Sequence, residues 1–363
     1  MRLAGMAGIG AFVAAFLVAA TQAAGADYPA ILAEKPPRLL SAYGFFEGIK
    51  AGSGISKPAQ GVVEYDLATP LFSDFAVKIR HVHVPEGKPA KYTVSEALDF
   101  PVGAALVKTF AFPADFRHPQ ENVRLIETRV LLHQADGWKA MAYVWNEEQS
   151  DAELKIAGKR LDLSFVDTKG EEVSFSYAVP NRNQCKGCHA ISGEIAPIGP
   201  KARNLNRDFD HGADQAGNMG AGPRNQLQWW AANGLLAGLP DEGVEKAVDW
   251  LDEKAPLDAR ARAWLDVNCA HCHRAEGPAS NSGLFLTWGE NSEVARGVLK
   301  RPVAAGRGAG DNQFDIVPGR PEQSILITRV ASTEPGVMMP ELGRALTDER
   351  AVEMLRQWIL TLR

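Results

Sequence analysis

Apolar and polar side chains alternate along much of the first half of the chain, and the alternation ends near Pro180. Segments 62–65, 106–112, 123–133 and 138–145 are β-branched or aromatic and of strand length. Asp136-Gly137 between the last two is a hairpin signal. Segments 154–157, 161–165 and 173–179, with Gly158-Lys159 and Lys169-Gly170 as turns, extend the series, as does Tyr92. About eight short strands predict a β-sandwich over 62–180. Beyond Pro180 the spacing becomes helical, at 226–236, 243–251, 260–268, 322–330 and 347–362. Pro240-Asp241 opens the second of these and Thr347 is the expected N-cap of the last. The fold class expected is α+β and multidomain: a β-sandwich-like domain followed by two mainly α-helical domains, 181–256 and 257–363. Segment 27–61, punctuated by Pro and Gly, is expected to lead in and wrap another domain, with one short helix within 37–46.

The first 26 residues stand apart. Arg2 precedes an apolar run from Leu3 to Ala20, and Ala24-Gly25-Ala26 supplies the small-x-small pattern of a cleaved signal peptide. An uncleaved anchor is the alternative, and the run is almost long enough for one. The expected mature protein is exported and periplasmic, with no further segment of spanning length. Of 363 residues, 45% are apolar and 23% charged, which describes a folded chain. A net charge of −5 argues against electrostatic binding of nucleic acid, and four cysteines are too few for a disulfide scaffold.

Those four cysteines all fall in one repeated motif. Cys185-Lys186-Gly187-Cys188-His189 and Cys269-Ala270-His271-Cys272-His273 both read Cys-x-x-Cys-His, the attachment sequence for c-type haem. Cysteines three apart on a helix present two sulfurs to the two vinyl groups of one porphyrin, and the following imidazole reaches the iron from the same side. Two covalent haems are therefore expected, with His189 and His273 as proximal ligands. A zinc centre built from Cys185, Cys188, Cys269 and Cys272 would leave both trailing histidines without a role.

Near the second motif, Gly277-Pro278 places a carbonyl where it could accept from the other ring nitrogen of His273. Val337-Met338-Met339-Pro340 offers a thioether strap, with Met339 the expected sixth ligand and Met338 its competitor. Arg301 and Arg307 are candidates to pair with propionates. Residues 257–363 resemble a class I cytochrome c domain. The first motif is followed by Pro197-Ile198-Gly199-Pro200, but no Met-Pro comes after it. Its sixth ligand is left among Met219, His211, an open position, and His81 or His83 from a strand face; Met219 is taken as first choice.

Several stretches together resemble a family of exported bacterial dihaem c-type cytochromes that lacks biochemical characterisation. They are Thr69-Pro-Leu-Phe-Ser-Asp74, Asp99-Phe-Pro-Val-Gly103, Ala142-Tyr-Val-Trp-Asn146, Pro197-Ile-Gly-Pro-Lys-Ala-Arg-Asn-Leu-Asn206, Leu265-Asp-Val-Asn-Cys-Ala-His-Cys-His273 and Asp315-Ile-Val-Pro-Gly319. The resemblance runs over nearly the whole mature chain, and implies that the β domain always accompanies the haem sites.

Single-electron transfer between the respiratory chain and a redox protein or a membrane or periplasmic dehydrogenase is the expected function. The alternative is a dihaem enzyme of peroxidase type, with an open first haem and Glu194 or His211 as acid/base group. A third possibility gives the β domain a small ligand stacked on Trp138, Tyr143 and Trp145.

Overall fold

A computed structural model describes residues 28–48, 57–211 and 222–363. The expected leader 1–26 and the candidate ligand Met219 lie outside the described residues.

The chain enters as strands β1 (Val62–Tyr65), β2 (Val77–His83), β3 (Ala90–Lys91), β4 (Ala105–Pro113), β5 (Val123–Gln134), β6 (Gly137–Trp145), β7 (Ala152–Leu154), β8 (Lys159–Val166) and β9 (Glu172–Val179). Six of them form one antiparallel sheet in the order β1-β2-β4-β5-β6-β7. The expected Asp136-Gly137 turn joins β5 to β6, with Gln134 opposite Gly137 and Gly137 at a φ of 104° that side chains with a Cβ rarely adopt. Strand β3 leaves the sheet to pair in parallel with Leu236 and Ala237. Strands β8 and β9 form a separate hairpin. A register shift between Phe110 and Ala111 leaves Ile126 as an extra residue and reverses the parity of β5, so Leu125 joins the same core as Val130 and Leu132 while Ile126 joins the opposite one.

Both faces of the sheet are covered. One carries Val107, Val130, Leu132, Tyr143 and Trp145 against Tyr28, Ile31, Leu40, Tyr43 and Phe45 of the lead-in segment. On the other face, Phe110, Phe112, Ala142 and Val144 pack on Phe165 and Tyr177 of the β8–β9 hairpin. Farther along that face Val82, Leu106, Leu131 and Ala140 meet Leu205, Leu227 and Trp230. Burial on both sides explains why these strands are apolar at both parities.

The expected fold class is overturned here. A single large antiparallel sheet dominates, its second layer is only a hairpin, and two mainly α-helical cytochrome domains do not form. In 181–256 the helices are α1 (Arg182–His189), α2 (Ala202–Leu205) and α3 (Gln226–Ala232), joined by loops and two-residue strand pairs. Segment 243–251 is not helical, because long-range partners take its backbone groups. Ala247 N donates to Arg203 O, and Thr69 Oγ1 donates to Val248 O (2.7 Å) while accepting from Trp250 N (3.2 Å). The C-terminal third holds α4 (Leu257–Asn268), α5 (Ile325–Ala331) and α6 (Glu349–Thr361) within long loops. Ala261, Trp264, Leu355 and Trp358 share the core between α4 and α6, and Trp358 Nε1 donates to Asp258 (2.9 Å). Asp348, not Thr347, caps α6, accepting from Arg350 N.

Candidate cofactor site

The first motif is built on α1. Asn181 caps it through a capping box, its side chain accepting from Gln184 N while Gln184 Oε1 accepts from Asn181 N (both 2.9 Å). The cap fixes the helix phase, so Cys185 and Cys188, three apart, lie on one face and His189 ends the helix. His189 Nδ1 lies 2.9 Å from Ala196 O, and Ala196 N donates to His189 O (2.8 Å). That backbone clamp orients the ring and leaves Nε2 free to ligate, the arrangement expected of a metal-ligating histidine. Burial, aided by Lys108, pushes the ring's pKa down to about 3 and keeps the imidazole neutral.

The second motif is not helical. Cys269 is the C-cap of α4, and Cys272 N and His273 N both donate to Cys269 O in the turn that follows. The nearest side-chain partner of His273 Nδ1 is Ser282 Oγ at 3.4 Å, in place of the expected Pro278 carbonyl. Burial lowers the His273 pKa to about 4. All four cysteines are free thiols. Burial raises the pKa of each, for Cys269 and Cys272 to about 12. Among the described residues no three His, Cys, Asp or Glu side chains gather closely enough to hold a metal ion, so the four thiols do not form a zinc cage.

The motifs, remote in sequence, meet in space. Cys272 Sγ lies 4.0 Å from Gly187 O inside the first motif, and Ser192 N donates to Glu276 O (2.9 Å). A buried ion cluster holds the two segments together. Asp266 on α4 takes Lys201 Nζ at 3.1 and 3.2 Å, Arg203 Nη2 at 2.9 and 2.7 Å, and Trp288 N at 3.0 Å. Asn204 Oδ1 accepts from Thr69 N and Asn268 Oδ1 from Phe72 N, while Asp74 accepts from Ala345 N and Leu346 N. Three of the stretches that carry the family resemblance thus meet at one junction.

That junction walls a cavity of about 410 Å³, within the roughly 300–1,000 Å³ usual for cofactor sites. Cys185, Cys188 and His189 form one side, Met338 and Met339 another, and the sheet a third. The sheet's contribution is cationic. Lys78, Arg80, Lys108 and Arg129 line the cavity, and Arg80, Lys108 and Arg129 are direct cross-strand neighbours. Like charges so placed repel. Arg80 is paired with Asp66 (2.8 Å) and Arg129 with Glu127, but neither lysine has an ion-pair partner among the described residues. Lys108 Nζ instead sits 5.2 Å from the Phe110 ring centroid. Burial first, then Arg129 and Arg80, brings its pKa down to about 7. This wall suits a ligand with an apolar body and carboxylates at its edge. Together with two thiols and an oriented imidazole, it fits haem.

No protein-family model, curated protein or solved structure matches the chain.

Other expected site residues lie elsewhere. His81 and His83 are buried on the opposite face of the sheet, edge-on to Phe46 and Tyr28 respectively. His211 stacks on Trp229 at 4.0 Å and is not on the cavity wall. Glu194 is exposed in a short hairpin. Arg301 lies over the Phe314 ring and Arg307 pairs with Glu334 at the surface, so neither reaches the cavity. Tyr143 and Trp145 are core residues facing away from Trp138, which stacks on His133, and the three form no platform. Met339 stands on the wall shared with the first motif. The cationic row escaped the sequence reading because polar strand positions read as solvated. The available signal was Lys108, the one charged residue of a nine-residue strand that is otherwise almost wholly apolar.

Proposed function

We propose that this chain is a periplasmic dihaem c-type cytochrome that carries single electrons between a redox protein or dehydrogenase and the respiratory chain. The observation that supports this most is the meeting of the two Cys-x-x-Cys-His motifs, with Cys272 Sγ 4.0 Å from Gly187 O. Haem supplies a one-electron iron couple when bound. The chain's own residues do the rest. Cys185 and Cys188 would hold one macrocycle and Cys269 and Cys272 the other. His189 and His273, half-buried and neutral, would ligate the irons, and Met339, the sixth ligand expected for the second, lines the cavity beside the first motif. Lys78 and Lys108 would offset propionate charge, and the packed junction would exclude water. The peroxidase alternative gains nothing, since the side chains proposed for its acid–base work, Glu194 and His211, do not line the cavity.

The test is the mass and visible spectrum of the protein purified from a host that attaches c-type haem. Two covalent haems and low-spin bands support the reading. A colourless product with the mass of bare polypeptide refutes it.

A further inference from the structure

We propose that His271, from within the second motif, supplies the sixth ligand to the iron held by Cys185, Cys188 and His189. The assignment rests on the dihaem reading above and concerns the ligand that the first motif's own segment does not provide. All eight histidines of the chain lie in described segments, and two of them, His189 and His271, are on the cavity wall. His271 is 7% exposed, and its enclosed Nδ1 makes no well-formed hydrogen bond, the Val267 carbonyl being the ring's one backbone partner. A buried polar nitrogen left unpaired costs about 1–3 kcal/mol, and a protein keeps such a group where something else engages the ring. Its backbone is fixed on both sides, by Ala270 N donating to Leu265 O (3.1 Å) and Cys272 N donating to Cys269 O (3.1 Å). A ligand on a pinned turn loses little freedom on coordination, unlike an unbranched Met on a loop.

The cavity's geometry therefore interlocks the two sites, with the second motif completing the coordination of the first. A bis-His iron has a lower potential than a His/Met iron. If Met339 serves the second iron, the first haem is the lower-potential member and electrons run from it to the second.

The experiment uses the full exported protein with both haems confirmed by mass, read by electron paramagnetic resonance and near-infrared absorption of the ferric form. His271→Ala should convert one low-spin haem to high spin, and added imidazole should restore it. His271→Met should keep both haems low-spin and add a sulfur-to-iron near-infrared band. A His271→Ala spectrum that stays low-spin throughout overturns the assignment, as does loss of the first haem's low-spin signal only in Met338→Ala or Met339→Ala. Should His271→Ala fail to accumulate, the unmodified protein decides: sulfur-to-iron intensity from at most one of two low-spin haems supports the assignment, and from both overturns it. Bare polypeptide mass in the unmodified protein refutes the cytochrome reading itself, a result distinct from a ligand misassigned on a loaded protein.

Discussion

Asp266→Asn tests whether the ion cluster holds the two motif segments together. Asp266 is 4% exposed and accepts five contacts, two each from Lys201 and Arg203 and one from Trp288 N. The substitution leaves the Arg203 side chain, 4% exposed, and that of Lys201, 10% exposed, without a counter-ion. Breaking one member of a buried ion cluster costs about 3–5 kcal/mol, most of it from stranding the remaining charges. Asparagine keeps one acceptor oxygen, so the expected loss is near the lower figure, about 3 kcal/mol. Urea unfolding should be followed by far-ultraviolet dichroism and tryptophan fluorescence together, since coincident transitions license a two-state free energy. Arg307→Ala, which removes an exposed pair with Glu334, serves as the control and should leave the midpoint unchanged. Burial alone would raise the Asp266 pKa, but Lys201 and Arg203 outweigh it and hold the value below the ordinary 3.8. The stabilisation is therefore fully present above about pH 4 and is lost as pH falls through the lower folded value. Asp266→Asn should unfold with a weaker acid dependence than the unmodified protein. A loss below about 1 kcal/mol, or an unchanged acid limb, would refute the argument.

Three further outcomes follow from the site. Met339→Ala should leave covalent haem content unchanged and remove a near-infrared sulfur-to-iron band; survival of that band with its loss in Met338→Ala would reassign the ligand. Lys108→Gln removes a cation from the cavity wall and should lower one midpoint potential by about 40 mV, the one-electron equivalent of about 1 kcal/mol; spectroelectrochemical titration checks it, and an unchanged potential argues that Lys108 does not face the cofactor. Asn181→Ala removes the capping box of α1 and should cost about 1 kcal/mol in urea unfolding, with incomplete haem attachment at Cys185 and Cys188 visible by mass.

Much of the local structure was legible in the sequence. Strands β1, β4, β5, β6, β8 and β9 fall where β-branched alternation and turn dipeptides place them, and α4 ends at the second motif as its spacing predicts. Three features were not. Strand β2 was read only as the strand face carrying His81 and His83, because Lys78 and Arg80 look solvated, yet one face of it meets the cavity and the other the lead-in segment. Segment 243–251 has helical spacing, but Thr69 and Arg203 take its backbone bonds. Tyr143 and Trp145 resembled a binding platform because amphipathic aromatics look alike at surfaces and in cores.

The sequence by itself determined what depends on near neighbours: the turn at Asp136-Gly137, the phase of α1, and two Cys-x-x-Cys-His motifs of five consecutive residues. Tertiary structure alone decided that these motifs lie side by side, that cations from three strands stand in one row, and that His271 shares a cavity with His189. The reason is physical. A side chain's spacing is set by its own backbone, whereas its charge partner, its burial and its ligand are set by segments that arrive from far along the chain.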